Sequence, residues 1–427
     1  MLINEVLASV DVIADPYVKS ATYAKIGEKL AKAKHGSYKE AFLRAVETAR
    51  EIDDPVTMFR ALLSVGYSMG RAGLKSSKRI YMTVLDESKV LPHTQRDSLM
   101  SSAAGYMLAL GEVGEAIAYS IEIKNPKLRN EVLLEIMRFN TRMIGNERLK
   151  AAYRLRKSKL ILEYLDSEPE RSEGVRELVR AYLYLEAYEN AVSLLRDISR
   201  KEIALQTFKE VVFYLKENEV LGHYIDSIEA VAHELIEKFG DEFRVELALA
   251  LALVGEGLTA VKMVRELKQP ESVLVRIALE LLGRDNNVLP AFLGALNETE
   301  AAIVGKEVMN AVLSNPKKGL QKIVEAVGKS TSSEEVWAKI ARYYVLIGDV
   351  ESAMKIGLLL REEELRSLVM ADVAHHLVKR GEVERAIDAA LEVRNPRFSS
   401  ILVSEILIKA LEQELPGRVK SWNGSRH

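Results

Sequence analysis

A short pattern recurs along the chain at intervals of about one helical hairpin: an apolar residue, two further residues and a proline. It reads Ile13-Ala-Asp-Pro16, Ile52-Asp-Asp-Pro55, Ile123-Lys-Asn-Pro126, Leu267-Lys-Gln-Pro270 and Val393-Arg-Asn-Pro396, with Val90-Leu-Pro92 as a looser copy. Proline is tolerated at the start of a helix but not inside one, so each copy marks a boundary. The steps from Pro16 to Pro55, Pro92 and Pro126 are 39, 37 and 34 residues, and the 144 residues from Pro126 to Pro270 hold four more steps of 36. Periods of this size signal stacked helical hairpins, each burying its apolar face against its neighbours.

A second mark falls between the prolines. Gly36-Ser-Tyr-Lys-Glu-Ala41, Gly111-Glu-Val-Gly-Glu-Ala116, Gly255-Glu-Gly-Leu-Thr-Ala260, Gly348-Asp-Val-Glu-Ser-Ala353 and Gly381-Glu-Val-Glu-Arg-Ala386 share one frame. Glycine ends the first helix of a hairpin, an acidic residue suits the positive N-terminus of the second, and alanine lets the two pack closely. Arginine recurs near the start of the first helix, at Arg60, Arg96, Arg129 and Arg366. The unit is therefore boundary, helix A, glycine turn, helix B.

Composition agrees with helix from end to end. Only 10 of 427 residues are proline and 24 are glycine, too few for the turns of a β-sandwich or propeller. The chain is 48% hydrophobic and 29% charged, which excludes disorder and a membrane-embedded protein. With no cysteine there is no disulfide, thiolate nucleophile or cysteine-ligated metal. The N-terminus lacks the basic region of a signal peptide, and the longest apolar run, near Leu247 to Gly255, is too short to span a bilayer, so a cytoplasmic protein with no membrane partner is expected. Five glutamines beside abundant Glu, Lys and Arg match hyperthermophile usage.

Gly36-Ser-Tyr38-Lys-Glu-Ala41 followed by Ala45 and Asp-Asp-Pro55, and Ala187-Tyr188-Glu-Asn-Ala191, resemble the tetratricopeptide (TPR) class of α-solenoids. The expected fold is all-α, a right-handed solenoid of about eleven hairpins of roughly 33–39 residues. A capping helix occupies 1–15, regular hairpins 16–270, irregular hairpins or a bend 271–333, further hairpins and a terminal helix 334–415, and a polar tail 416–427. Leu2, Ile3, Val6, Leu7, Val10 and Ile13 give the first helix one apolar side, as a cap requires. In the terminal helix, Ile401, Leu402, Val403, Ile406, Leu407, Ile408, Leu411 and Leu415 spread over more of the circumference than one neighbour covers. Either the tail folds back over it or a second copy does, through Ile401, Leu402, Leu407 and Leu411, giving a homodimer.

Three motifs mimic chemistry. Gly66-Tyr-Ser68-Met-Gly70 fits the nucleophile elbow of serine hydrolases, but the repeat places it inside a helix A. Gly255-Glu-Gly257-Leu-Thr-Ala260 fits a dinucleotide-binding fingerprint, with Glu280 downstream, but it coincides with the glycine-turn frame. His233-Glu234-Leu-Ile-Glu237 has half of a zinc-protease motif. All three are expected to be structural, with no enzyme activity and no cofactor.

Charge is unevenly placed. Residues 1–159 hold 26 Lys and Arg against 18 Asp and Glu, while residues 160–427 hold 34 against 44. Basic residues are densest at Lys124, Lys127, Arg129, Arg138, Arg142, Arg148, Lys150, Arg154, Arg156, Lys157 and Lys159, the last six on one helix with Tyr153 among them. Such a run can follow a phosphate backbone or an acidic protein, or pair with the acidic stretch Glu163 to Glu177. The expected function is a scaffold or adaptor that binds another protein in a groove of helix A faces. The alternative is an RNA- or ribosome-associated factor, binding a ribonucleoprotein through 124–159. A serine hydrolase through Ser68 stands third.

Overall fold

A computed structural model describes residues 3–284 and 287–414, and all regular structure among them is helical. Leu2, Leu415 and the tail 416–427 lie outside the described residues. The chain divides into two compact units, Met1–Val231 and Ala232–His427.

In the first unit, α1 (Ile3–Val10) precedes a series of pairs: α2 (Pro16–Lys32) with α3 (Tyr38–Arg50), α4 (Pro55–Arg71) with α5 (Ser77–Glu87), α6 (His93–Ala109) with α7 (Val113–Ile121), and α8 (Pro126–Asn146) with α9 (Ala151–Tyr164). Next come α10 (Glu170–Tyr184) with short α11 (Tyr188–Ser193), then α12 (Lys201–Glu217), while α13 (Leu221–Phe239) contains the division between units. First helices stack on first helices: α2 on α4, α4 on α6, α6 on α8, α8 on α10 and α10 on α12. Their buried faces supply the core, including Leu62, Leu63, Leu99, Met100, Leu133, Met137 and Phe208. Burial of each such side chain is worth about 1.5–3 kcal/mol. Leu7 and Val10 of α1 are buried, and the Tyr23 hydroxyl donates to the Leu7 carbonyl at 3.2 Å and to Asp11 at 2.8 Å, fastening the first helix to the stack.

The second unit repeats the arrangement: α14 (Asp241–Leu253) with α15 (Gly257–Arg265), α16 (Pro270–Arg284) with α17 (Leu289–Gly294), α18 (Glu298–Ser314) with α19 (Gln321–Ser330), α20 (Glu334–Ile347) with α21 (Val350–Leu359), α22 (Glu363–Lys379) with α23 (Val383–Leu391), and finally α24 (Pro396–Glu414). Between 271 and 333 the elements are uneven, with a six-residue α17 and a 3-10 turn before α19, yet α16 packs on α18, α17 on α19 and α18 on α20. Phe243, Leu247, Phe292, Tyr343, Met370 and Leu377 are buried here.

The proline marks act as two signals at once. Asp15, Asp54 and Asn125 are N-caps whose side chains accept from backbone N–H groups of the following turn, and Pro16, Pro55 and Pro126 sit at the first helical position, where no N–H is needed. Asn395 does the same before Pro396, accepting from the Arg397 and Phe398 amides at 3.1 Å each.

Among the described residues, eight of the turns from first to second helix share one hydrogen-bond pattern, which the turns after α8 and α18 lack. At Gly111 the amide reaches the Leu108 carbonyl at 2.9 Å and the Glu112 amide reaches Met107 at 2.9 Å, the two bonds of a Schellman closure. Gly73, Gly255, Gly348 and Gly381 repeat it with positive φ. At the first turn the left-handed residue is Lys34, with φ 57°, rather than Gly36, and Glu186 and Glu219 fill the same position at φ 59°.

Candidate functional site

The three chemistry-like motifs fall into this helical frame. Ser68 is buried within α4, not on a strand-to-helix turn. Gly255 is the left-handed turn residue after α14, and Gly257 opens α15 where a Cβ would lie 2.7 Å from the Phe292 Cα, so this glycine permits close backbone approach between α15 and α17. His233 is exposed on α13. Among the described residues no group of three His, Asp or Glu is placed to hold a metal ion.

The basic residues are dispersed. Arg148 and Lys150 lie in a 3-10 turn, so the last six do not share one helix. Arg154, expected on an exposed stripe, is buried at 5% exposure: α9 turns it inward over the Phe139 ring at 5.5 Å, with Glu147 3.6 Å away. Arg129 pairs with Asp166 at 2.9 Å and Arg148 with Glu186 at 2.6 Å. Lys157 lies over Tyr153 and Lys159 over Tyr182. Lys124, Lys127, Lys150 and Arg156 are exposed, as are Arg138 and Arg142, and these six make no ion pair among the described residues.

Arg138 and Arg142 belong to a different feature, an open cleft of about 640 Å³ across α8, α10 and α12. Each helix lines it at i, i+3 and i+7: Glu135, Arg138 and Arg142 from α8; Glu177, Arg180 and Tyr184 from α10; Glu210, Phe213 and Glu217 from α12. This spacing keeps one face of a helix in view. Thr141 is buried at the edge and donates to the Glu177 carbonyl at 3.2 Å, tying α8 to α10. A second cleft, of about 520 Å³, lies between α6 and α8 and shares Glu135 and Arg142 with the first. Its α6 wall is built of Ser101, Ala104, Gly105 and Leu108.

The floor of the larger cleft is a fixed ion cluster. Arg180 donates to both oxygens of Glu210 at 2.9 Å each and to Glu177 at 2.8 Å, and Arg176 reaches Glu210 from below. Burial pushes the Glu210 carboxyl up, but the hydrogen bonds from Arg180 and Arg176 outweigh it and hold the group below the usual range. Bonding to Glu210 raises the Arg180 guanidinium further above its ordinary value. These charges are spent on one another. Phe213 and Tyr184, 39% and 40% exposed, line the same cleft as the unpaired guanidiniums of Arg138 and Arg142.

The charge density along the chain picks out Arg138 and Arg142 but not Glu177, Arg180, Tyr184, Glu210 or Phe213. The signal that joins them is the same three-residue register repeated at offsets of 42 and 33 residues.

In α24, Leu402 is buried at 2% against its own chain, so it is not available to a second copy. The helix packs on α22 and α23 through Leu402 and Ile406, and Ile401, Leu407 and Leu411 remain exposed.

No protein-family model matches the chain, and no curated protein matches it. Among solved structures it is similar to Ton1535 from Thermococcus onnurineus NA1, at 14% identity with 94% of each chain covered and a TM-score of 0.23. It is also similar to a circular tandem repeat protein with novel repeat topology and enhanced subunit contact surfaces, at 14% identity, with 94% of this chain and 98% of that one covered and a TM-score of 0.18. Among the described residues no helix is long and apolar enough to cross a membrane.

Proposed function

We propose that the chain is a non-catalytic scaffold of TPR-like type, a right-handed solenoid of about eleven hairpins, that binds a segment of a partner protein along the faces of its first helices. The observation that carries this reading is the register shared by α8, α10 and α12, which sets matching side chains of three successive first helices into one cleft. A peptide laid across such a cleft meets each helix in turn. RNA docking through 124–159 has less support, because Arg154 is buried and Arg129 and Arg148 are already paired. The exposed apolar side chains of α24 support self-association as a separate property.

Panning the purified protein against a random peptide library tests the reading. Peptides that bind the wild type and lose at least about tenfold in affinity with Phe213→Ala or Tyr184→Ala are expected. Retained affinity in both variants would move the site elsewhere. RNA binding that disappears on reversing Arg156 and Lys157 to Glu, with no peptide recovered, would replace the proposal with the RNA reading.

A further inference from the structure

The second unit carries a trough lined by two of its second helices, α19 and α21, and by the face of α20 that bears Trp337, Ile340 and Tyr344. Among the described residues α17 packs on α19, but no substantial contact joins α19 to α21. Trp337 and Ile356 divide the trough into hollows of about 370 and 380 Å³, and from Glu334 to Tyr344 it follows α20 for about 15 Å. The indole is fixed in place: its Nε1 donates to the Thr331 carbonyl at 3.1 Å, and a Cβ at Gly328 would lie 3.1 Å from its ring, so the bare backbone there lets it settle against α19. The rim is cationic. Lys329 from α19, Lys355 from α21 and Arg361 are exposed and make no ion pair among the described residues. Of the two carboxylates on the lining, Glu334 is occupied by the Arg361 and Glu362 amides at 2.9 and 2.6 Å, which leaves Glu325 against three cations.

We propose that the trough binds a free fatty acid, an unbranched acyl chain ending in a carboxylate. The chain lies along Trp337, Ile340 and Ile356, and the carboxylate meets Lys329 and Lys355. Cavities of this size, with apolar and aromatic linings and a few placed polar groups, are the common form of a small-molecule site. Burial of the chain supplies the affinity, and the lysines decide which head group is accepted. A polyanion gains less, because it brings no apolar chain and meets Glu325 one turn from Lys329 on α19. The trough shares no residue with the cleft of α8, α10 and α12, so the proposal stands or falls apart from the protein-binding reading.

Trp337 reports on its own site. The chain has two tryptophans, and Trp422 lies outside the described residues, so the full chain carrying Trp422→Phe emits from Trp337 alone. The probes are decanoate and decylamine, each below its micelle concentration. Decanoate should shift the Trp337 emission saturably and bind at least about tenfold more tightly than decylamine. Lys329→Glu with Lys355→Glu should invert that order, and Lys329→Gln with Lys355→Gln should abolish it. Neither lysine is buried or paired, so these variants should melt with the wild type, and the Gln pair reports on binding even if the Glu pair does not fold. Phe213→Ala should leave decanoate binding unchanged. No saturable response to decanoate, equal or tighter binding of decylamine, or an unchanged preference in the lysine variants overturns the proposal. An equal response to phosphatidylglycerol vesicles also overturns it, because bilayer lipid rather than a free acid would then be the occupant.

Discussion

At the scale of single residues, the turn positions form an internal comparison. Among the described residues, eight first-to-second helix turns close with the same two hydrogen bonds, five of them on glycine and three on Lys34, Glu186 and Glu219. A side chain in the left-handed region costs about 1–2 kcal/mol, which glycine avoids at the expense of greater freedom in the unfolded chain. Glu219 is exposed, so Glu219→Gly should stabilise the protein by about 0.5 kcal/mol. Gly348→Ala should cost about 1–2 kcal/mol for conformational reasons alone, because nothing lies within 4 Å of the added Cβ. Calorimetric melting of the two variants checks both signs. A drop in the first, or no change in the second, would show that these turns are not held in the observed conformation.

At the scale of helices, several arginines near the start of a first helix clasp an acidic residue just beyond the second. Arg96 lies 3.6 Å from Glu122, and Arg244 and Arg366 pair with Glu266 and Glu392. Each pair joins the entrance of a hairpin to its exit. The Arg366 side chain is only 16% exposed, whereas Arg284, paired with Glu280 along one helix, is 61% exposed. Arg366→Ala should therefore destabilise by about 1–2 kcal/mol and Arg284→Ala by under about 0.5 kcal/mol, measured by thermal melting. Comparable losses would mean the clasp is no more than a surface pair. This is also the scale at which the sequence was most legible. An Asp or Asn before proline states the N-cap and the first helical residue together, so the starts of α2, α4, α8 and α24 could be read directly. Lys34, Glu186 and Glu219 could not, because nothing in those side chains announces a left-handed backbone. Arg154 was misplaced for a related reason: charge favours exposure, but the packing of α9 on α8 decides which face turns inward. The cleft was half legible. Arg138 and Arg142 stood out by charge, while their partners lie a hairpin or two away along an uneven period.

At the scale of the whole molecule, the substantial contacts among the described residues of each unit join helices one or two places apart in the chain. Stability is then close to a sum of local units and nearest-neighbour interfaces, and the end of the series is where apolar surface is left over. On α24, Leu407 is 51% exposed and Leu402 is 2% exposed. Self-association through this helix predicts that Leu407→Glu lowers the mass seen by light scattering to that of one chain without lowering the melting temperature. Leu402→Ala should instead cost about 2–4 kcal/mol of stability. A wild type that already scatters as one chain would dispose of the dimer. The same neighbour-only packing bears on how the protein is made. A hairpin leaving the ribosome finds its structural partners in the one just before it and in the one that follows, and at 5–20 residues per second a stretch of this period takes about 2–7 s to synthesise. Among the described residues of each unit no helix has to wait, apolar and exposed, for a partner encoded hundreds of codons downstream, so assembly of each unit can keep pace with its translation.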